Sequence, residues 1–555
     1  MNPSYPRGFG LLCFLIFSYL FINTAWVAED AFITFRSVDQ LLAGNGPVWN
    51  LGERVQVYTH PLWYALLSLG TALGMESYWL ALLLSYGLLL TVLGLLFQLA
   101  RQLATPPLLL GAALLLLSLS RAFIDFSSSG LENPLQHVLL LAYLLVYLSA
   151  RPRAQRFFWT TFIYGLLFLT RPDAIIMVTP ASAYLWFQLL KNRQPWLKPA
   201  LWVLLPVIGW EIFSLLYYGS PVPNTALAKV NIDYPPALLH DYARNFFLVN
   251  FRLDPLTLGT IAIAGGLGLL GGWRRCQRLP ALLALGLLLQ LAYLFRIGGD
   301  YMLGRFLSAP LLLAVAVLLL SAPASLKLNL GRRAPYGLLL LPLLLLSVNY
   351  RPGLNYHNKE IIKDISDERG FFYPHIGLLP VLVKQQGQYY TNSLFYQGNS
   401  FTSQYMISCL IGMQSWAMAP DRQVIDPLGL TEPFLARLPA RLNSRIGHYE
   451  RAFPPGFVQS RVSSRPEENL LVAPELAALY DDVRRVTRSP ALLSRERLAA
   501  IWRLNTGHYR NMGRYFDRED VNLREVNISD ADLRAINDPD SRVDRSLCFA
   551  KIEIF

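Results

Sequence analysis

The chain has 555 residues, of which 53% are hydrophobic and only 15% are charged, and its formal net charge is +12. Apolar residues occur in runs of about twenty, the length that crosses the hydrocarbon core of a bilayer as a helix. This composition excludes an ordinary soluble protein and predicts a polytopic α-helical membrane protein. The basic residues cluster in short loops between the apolar runs, so the charge is a topology signal and gives no support for nucleic-acid binding.

Eleven apolar segments are candidate membrane spans. They are residues 8–26, 78–99, 107–124, 135–150, 157–170, 174–190, 199–217, 255–272, 280–296, 306–321 and 336–348. A cleaved signal peptide over residues 1–27 is the alternative for the first, because "NTAWVA" has small residues near its end. We favour a retained anchor, since the apolar region is long for a signal peptide and many more spans follow.

Residues 60–74, "HPLWYALLSLGTALG", form an apolar segment that is short for a span. Counting it as a span would place every later basic loop outside the cell. We therefore predict a helix in or near the outer membrane interface, where Trp63 and Tyr64 suit the border between lipid and water.

The distribution of charge predicts the orientation of the chain. With a cytoplasmic amino terminus, the inward segments hold no acidic residue and the following basic ones: Arg7, Arg101, Arg151, Arg153, Arg156, Lys191, Arg193, Lys198, Arg274, Arg275, Arg278, Lys327, Arg332 and Arg333. All acidic residues before Tyr350 fall in outward segments or near the outer ends of spans. This positive-inside bias predicts a multi-pass protein of the bacterial inner membrane.

From about residue 350 the Leu-rich spans give way to mixed polar sequence. We predict a transmembrane domain over residues 1–349, with a first outward loop at 27–77, and a periplasmic mixed α/β domain over 350–555. Cys409 and Cys548 both fall in the second domain. An oxidising compartment would allow them to pair, but the sequence does not give the distance between them.

The outward loops carry the residues suited to chemistry. The first contains "EDAFITFR", and later ones contain "SSSGLENP", "LTRPDA", "GSPVPNTALAK" and "GGDYMLGRF". A carboxylate there can act as general base on a hydroxyl, cations can hold a phosphate leaving group, and aromatic rings can stack on sugars. Together they predict glycosyl transfer from a lipid-linked donor, in one polar cavity covered by the carboxy-terminal domain. The sequence has no nucleotide-binding glycine motif and no metal-ligand spacing.

These motifs resemble the GT-C superfamily of polyprenyl-phosphate-sugar-dependent glycosyltransferases. More narrowly, "EDAFITFR", "GSPVPNTALAK", "GGDYMLGRF", "DERGFF", "VIDPLGLTEPFLARLPA" and "RIGHYERAFPPGF" resemble the mycobacterial terminal arabinofuranosyltransferase family and its proteobacterial relatives, some of which decorate pilins or surface glycans. The resemblance covers residues 25–460. It implies a GT-C fold, a decaprenyl-phosphate arabinofuranose donor and inversion at the anomeric carbon. The chain here could use undecaprenyl phosphate and another pentose or a hexose.

The acidic pair of that family falls on Glu29 and Asp30. The family commonly has Asp at both positions, so Glu29 is a departure. The resemblance therefore implies that Asp30 is the general base and that Glu29 tunes it or orients the acceptor. The alternative without a catalytic role is a pair of solvated charges that mark the end of a span.

Further candidates come from the same loops, and each has a structural alternative. Candidates for donor binding are Arg36, His60, Arg171, Lys229, Asp300 and Arg305. An interface anchor, a helix start, a turn or a salt bridge would explain each of them equally well. Candidates for acceptor binding are Asp426, His448 and Glu450, for which packing within the carboxy-terminal domain is the favoured alternative.

Some properties stay open at the level of sequence. No metal site is predicted, although a divalent cation (Mg2+ or Mn2+) between the acidic loop and a phosphate is conceivable. The acceptor is a glycan, a lipid or a pilin-like protein. A transporter or flippase for polyprenyl-linked saccharides and an O-antigen ligase or polymerase are the rival functions. Transporters place polar groups near the mid-plane and often show repeats, whereas the ionisable groups here collect at one face.

Overall fold

The structure is a computed structural model. It describes residues 5, 8–192, 197–230, 234–275, 278–322, 361–391, 393–400, 404–442, 444–465, 467–509 and 543–545. The predicted span 336–348, the predicted domain boundary near 350 and Cys548 lie outside these residues. Contacts divide the chain into two compact units. The first comprises Met1–Ala28, His60–Val207 and Leu239–Tyr389, and the second comprises Glu29–Thr59, Ile208–Leu238 and Tyr390–Phe555.

The described residues are largely helical. The α-helices are α1 (Phe9–Thr24), α2 (Glu29–Leu42), α3 (Pro61–Ala72), α4 (Ser77–Gln102), α5 (Pro107–Leu119), α6 (Arg121–Phe126), α7 (Asn133–Leu148), α8 (Arg153–Thr170), α9 (Thr179–Lys191), α10 (Leu197–Tyr217), α11 (Asn224–Val230), α12 (Pro236–Leu253), α13 (Pro255–Arg275), α14 (Arg278–Arg296), α15 (Ser308–Ser321), α16 (Glu368–Ile376), α17 (Ser393–Asn399), α18 (Met413–Ala417), α19 (Phe457–Val462), α20 (Pro474–Arg488) and α21 (Arg495–Asn505). Short 3-10 or π-helical turns are Pro172–Met177, Arg305–Leu307, Pro380–Lys384 and Leu435–Arg437.

Several helices are apolar enough to cross a membrane. Among the described residues, Ser77–Gln102, Ala200–Tyr217 and Arg278–Arg296 are long and apolar enough by themselves. The pair Pro236–Leu253 and Pro255–Gly271 is bent by 109° and adds a fourth candidate if it counts as one span. Shorter apolar helices are Phe9–Thr24, Pro107–Leu119, Asn133–Tyr147 and Arg305–Ser321. The helical class predicted from composition is therefore confirmed, while the number of eleven spans stays a prediction.

The sharp bend between α12 and α13 has a local cause in the sequence. Asp254 precedes Pro255, and a residue before proline avoids helical backbone angles, so α12 ends there. The Asp254 Oδ1 atom accepts a hydrogen bond from the Thr257 amide at 3.2 Å, which caps α13. Its Oδ2 atom accepts one from the Ala122 amide at 3.1 Å, in the first turn of α6. One carboxylate thus satisfies two helix starts in the first unit.

The first unit buries its apolar surface between neighbouring helices. In it, α4 packs on α7, α7 on α8, and α13 on α14 and α15. The predicted apolar segment 60–74 is the helix α3, and its place at the membrane interface stays a prediction. The contact between α14 and the turn Pro172–Met177 needs a glycine, because a Cβ atom at Gly286 would lie 1.9 Å from the Met177 carbonyl oxygen.

Strands β1 (Ile361–Ile362) and β2 (Ile365–Ser366) form an antiparallel pair in the first unit.

The second unit contains a small parallel sheet packed against helices. Strands β3 (Tyr405–Ile407), β4 (Gln423–Ile425) and β5 (Val543–Arg545) form a parallel sheet in the order β4-β3-β5. Its core includes Ile407, Ile425, Phe434, Phe457 and Tyr480.

The second unit also includes segments that the sequence assigned to the membrane domain. The stretch Glu29–Thr59 and the stretch Ile208–Leu238 belong to it together with the residues after Tyr390. Cys409 is disulfide-bonded, and the partner suggested by the sequence, Cys548, lies outside the described residues.

We expect the variant Gly286→Ala to unfold at lower temperature than the wild type. The added methyl group collides with a backbone carbonyl that cannot rotate away, and such overpacking costs about 1–3 kcal/mol. Gly87→Ala in α4 is the matched control, because nothing lies within 4 Å of a Cβ atom there. Thermal unfolding in detergent measures both variants, and equal melting temperatures for the two would contradict the packing of α14.

Candidate active site

The acidic pair at the start of α2 has two different environments. Glu29 Oε1 accepts hydrogen bonds from the amides of Gly412 at 2.6 Å and Met413 at 3.2 Å, at the start of α18. A Cβ atom at Gly412 would lie 2.3 Å from that oxygen, so only glycine permits the approach. Glu29 therefore has a structural role, since it holds the start of α18. Asp30 has different neighbours.

Asp30 belongs to a polar group within the second unit, which we call the Asp30 cluster: Asp30, Lys229, Arg445 and His448. The charges of Arg445, Lys229 and Asp30 all act on the His448 ring. All four residues are partly buried. The cluster thus combines a carboxylate, two cations and an imidazole in a partly buried setting.

Local structure fixes the elements that carry this cluster. Lys229 lies in the last turn of α11, and the guanidinium of Arg451 donates to the carbonyl of the preceding residue, Ala228, at 2.6 Å. Arg445 and His448 pair across a tight turn in which Gly447 adopts a left-handed φ of 74°. The bond from Arg451 to the Ala228 carbonyl and the pairing of Arg445 with His448 therefore fix the backbone positions of Lys229, Arg445 and His448.

The imidazole of His448 is neutral at physiological pH. Burial, together with the positive charges of Arg445 and Lys229 and against the opposing effect of Asp30, lowers its pKa to about 3. A neutral imidazole can donate one hydrogen bond and accept another. His448 is therefore equipped to orient a hydroxyl group.

A second group of predicted residues meets in the first unit, around a carboxylate that the sequence analysis did not single out. We call it the Glu132 cluster: Glu132, His60, Arg171, Arg305 and Asp173. Glu132 Oε1 lies 3.0 Å from Arg171 Nη1 and 3.6 Å from Arg305 Nη2, and its Oε2 lies 3.3 Å from His60 Nδ1. Arg171 Nε also pairs with Asp173 Oδ1 at 2.8 Å.

Helix ends bring the Glu132 cluster together. His60 precedes α3, Glu132 precedes α7, Arg171 follows α8, and Arg305 opens a 3-10 turn after Gly304. Glu132 is fully buried. Burial by itself raises the pKa of a carboxyl, but the charges of Arg305, His60 and Arg171 outweigh it and hold the pKa of Glu132 at about 2. The signal in the sequence was an acidic residue in the outward piece "SSSGLENP", directly before a helix.

Other predicted residues are engaged in holding loops. Arg36 Nε donates to the Trp49 carbonyl at 3.1 Å, and its Nη atoms donate to the carbonyls of Ser415 and Arg422. Asp426 accepts from the amides of Leu428 at 2.8 Å and Thr431 at 2.9 Å. Both side chains are buried within the second unit. Their bonding is accounted for by structure, so we leave both out of the site proposed below.

The remaining predicted residues lie in less defined settings. Asp300 is buried in the loop of the first unit that precedes Arg305. Glu450 is partly buried in the second unit, and burial raises its pKa to about 7 against the opposing charge of Arg441. Among the residues that the structure describes, no three His, Cys, Asp or Glu side chains come together in a way that could hold a metal ion.

Comparison with known proteins agrees with the sequence motifs. Residues 59–212 match the family of dolichyl-phosphate-mannose-protein mannosyltransferases. This segment contains His60, Glu132 and Arg171. The resemblance to membrane glycosyltransferases that use a lipid-linked sugar is confirmed, and the chain is an integral membrane protein with several apolar helices.

The chain is also similar to terminal beta-(1->2)-arabinofuranosyltransferases. The one from Mycobacterium tuberculosis is 33% identical over 331 residues, which is 52% of each chain. The one from Corynebacterium glutamicum is 30% identical over 346 residues, 53% of this chain and 48% of that one. The chain thus spans about half the length of these curated relatives. No solved structure shows a significant match.

The raised pKa of Glu450 predicts a pH-dependent stability. Its pKa rises from 4.5 to about 7 on folding. Below pH 4.5 both states hold the proton; above it the unfolded chain ionises first, so the folded state loses stability until the pH passes about 7. In the wild type, the free energy of unfolding should fall by on the order of 2 kcal/mol between pH 4.5 and about pH 7 because of this group. We expect Glu450→Gln to remove that fall. Thermal unfolding at pH 5 and pH 8 measures it, with exposed Glu467→Gln as control.

If the unfolding temperatures of the wild type and of Glu450→Gln change equally between pH 5 and pH 8, the buried setting of this carboxyl is contradicted. A Glu467→Gln variant with as large a change would show that net charge alone sets the dependence.

Proposed function

We propose that this protein is a glycosyltransferase that transfers a sugar, a pentofuranose such as arabinofuranose, from a polyprenyl-phosphate donor to an acceptor hydroxyl. Transfer takes place at the periplasmic face of the bacterial inner membrane, with the amino terminus cytoplasmic, and inverts the anomeric carbon. The observation that carries the proposal is the Asp30 cluster, a partly buried group of a carboxylate, two cations and a neutral imidazole. The similarity to arabinofuranosyltransferases supports the choice of sugar.

Asp30 is the general base of the proposed reaction. It removes the proton from the acceptor hydroxyl while the oxygen attacks the anomeric carbon from the face opposite the phosphate. One C–O bond forms, the bond to the phosphate oxygen breaks, and the polyprenyl phosphate leaves with the electron pair. Glu29 has a positioning role, because its bonds to Gly412 and Met413 fix the first turn of α2.

Lys229, Arg445 and His448 complete the proposed chemistry in the second unit. The two cations stabilise the negative charge that grows on the leaving phosphate. His448, neutral at working pH, orients the acceptor hydroxyl by a hydrogen bond. The side chains named here account for these steps without a metal ion. A divalent cation on the donor phosphate is compatible with the same steps.

As a separate candidate for binding the donor phosphate, in place of Lys229 and Arg445, we propose Arg171 and Arg305 in the first unit. A guanidinium has five N–H donors in a planar fork, which is more than one carboxylate can accept. Glu132 orients both arginines by ion pairs, and His60 holds the second oxygen of that carboxylate. Glu132 and His60 are positioning residues in this proposal.

A transporter for polyprenyl-linked saccharides is the second candidate. The 109° bend between α12 and α13 supports it, because transporters often contain broken helices. The enzyme is favoured, since the Asp30 cluster and the similarity to transferases both point to chemistry. A transporter would move intact lipid-linked sugar across a vesicle without releasing polyprenyl phosphate.

The variant Asp30→Asn is expected to lose about 10²–10⁴-fold in transfer rate, the contribution of a positioned general base. Asp39→Asn is the matched control, because it lies on the same helix and its carboxylate accepts a hydrogen bond from Trp416 at 2.7 Å. The assay follows sugar transfer from a synthetic polyprenyl-phosphate pentose to candidate acceptors. Near-native turnover by a folded Asp30→Asn protein would rule out the proposed base.

The variant Arg305→Gln is expected to raise the KM for the donor about tenfold or more, the value of a charge-assisted hydrogen bond. The effect on the acceptor KM should be small. Glu132 keeps Arg171 and His60 as partners, so the variant should fold. Arg296→Gln removes the same charge from an exposed position and is the control. Equal donor KM values for both variants would exclude Arg305 from donor binding.

A further inference from the structure

A cavity of about 610 Å³ lies between α4 and α7 in the first unit. It falls within the range of about 300–1,000 Å³ that small-molecule sites occupy. On α7, its lining residues Ala142, Leu145 and Val146 recur at helical spacing, so one face of the helix forms the wall. Leu95 of α4 also lines it. This wall is apolar.

The polar lining residues lie near the ends of the two helices, and Gln98 is the one farthest from the end of α4. Arg101 and Gln102 form the last turn of α4, while Ser149 and Arg151 directly follow α7. The cavity is therefore apolar along the helices and basic at their carboxy-terminal ends. That gradient matches a molecule with a hydrocarbon chain and an anionic head.

The charge of the cavity favours an anion. Its described lining residues contain two guanidinium groups and no carboxylate. A helix carboxy terminus carries partial negative charge, but the Ser149 hydroxyl donates to the Val146 carbonyl at 2.7 Å and satisfies one of the exposed oxygens. Guanidinium forks match phosphate oxygens in geometry, which a simple point charge does not.

The position of the cavity favours a lipid over a soluble anion. α4 is long and apolar enough to cross a membrane, and the cavity lies at its end, at the level where head groups meet water. A soluble phosphate would not use the apolar wall. Basic pockets between transmembrane helices are suited to anionic head groups.

We propose that this cavity binds an anionic phospholipid, with the phosphate head group at Arg101 and Arg151 and an acyl chain along Leu145 and Val146. The positive-inside pattern assigns both helix ends to the cytoplasmic leaflet. The site is separate from the residues proposed for sugar transfer. Its occupation would join α4 to α7 and stabilise the first unit.

Titration of the detergent-solubilised full-length protein with lipid tests the proposal. Binding is measured by native mass spectrometry and by the rise in unfolding temperature, with phosphatidylglycerol, phosphatidylcholine and inorganic phosphate as separate probes. Phosphatidylglycerol is expected to bind and stabilise, phosphatidylcholine to bind at least tenfold more weakly, and phosphate alone to have no effect. Equal binding of the two lipids, or full stabilisation by phosphate, would overturn the proposal.

Two sets of variants separate the cavity from general surface charge. Arg101→Gln combined with Arg151→Gln is expected to weaken phosphatidylglycerol binding about tenfold or more, since each basic residue contributes to head-group attraction. Arg153→Gln combined with Lys191→Gln removes the same charge from exposed positions outside the cavity and should leave binding unchanged. Equal losses in both double variants would show attraction by net charge only and would overturn the site.

One further variant keeps the test decisive if the double variant folds poorly. Ala150 is an exposed lining residue, so Ala150→Glu should leave the fold intact while it places a carboxylate at the polar end. It is expected to abolish preferential binding of phosphatidylglycerol. Retained preference in a folded Ala150→Glu protein would overturn the proposal, whatever the activity in sugar transfer.

Discussion

The meeting of several helix ends in the first unit depends on one buried carboxylate, Glu132. Glu132 is removed from water, and placing an ion in a protein interior costs several kcal/mol unless partners compensate it. Arg171, Arg305 and His60 supply that compensation from three other helix ends. Because each of these residues begins or ends an element, the same ion pairs that neutralise Glu132 also fix how α3, α7 and α8 meet. The proposed donor binding by the two arginines would use groups that the fold has already oriented.

The second unit also buries several charged residues, and these are held by ion pairs or hydrogen bonds. Glu53 pairs with Arg461 at 2.6 Å and with Arg488 at 2.6 Å, and Arg461 also pairs with Glu432 at 3.0 Å. Arg36 donates to backbone carbonyls. The Asp30 cluster differs because its side chains stay partly accessible. Glu29 is also partly buried, so its bonds to Gly412 and Met413, rather than its exposure, distinguish it from Asp30.

The sequence could name the residues that carry charge on one face, but it could not assign their roles. Glu29 and Asp30 are adjacent and chemically alike, so only the residues common at these positions in the resembled family distinguished them. In the structure, Glu29 reaches the amides of Gly412 and Met413, residues 383 and 384 positions away. Likewise, Arg36 and Lys229 looked equally suited to phosphate, and Glu132 was one acidic residue in a short piece of loop.

Composition and the spacing of apolar residues determined the helical membrane class, because the bilayer sets the length and hydrophobicity of any segment that crosses it. Local signals also determined helix limits such as Asp254-Pro255. The tertiary structure alone decided that Glu29–Thr59 and Ile208–Leu238 belong with the carboxy-terminal residues, and which carboxylate meets which cation. The reason is physical: an ion pair depends on the distance between two side chains, and residues far apart in the chain acquire that distance only when the fold forms.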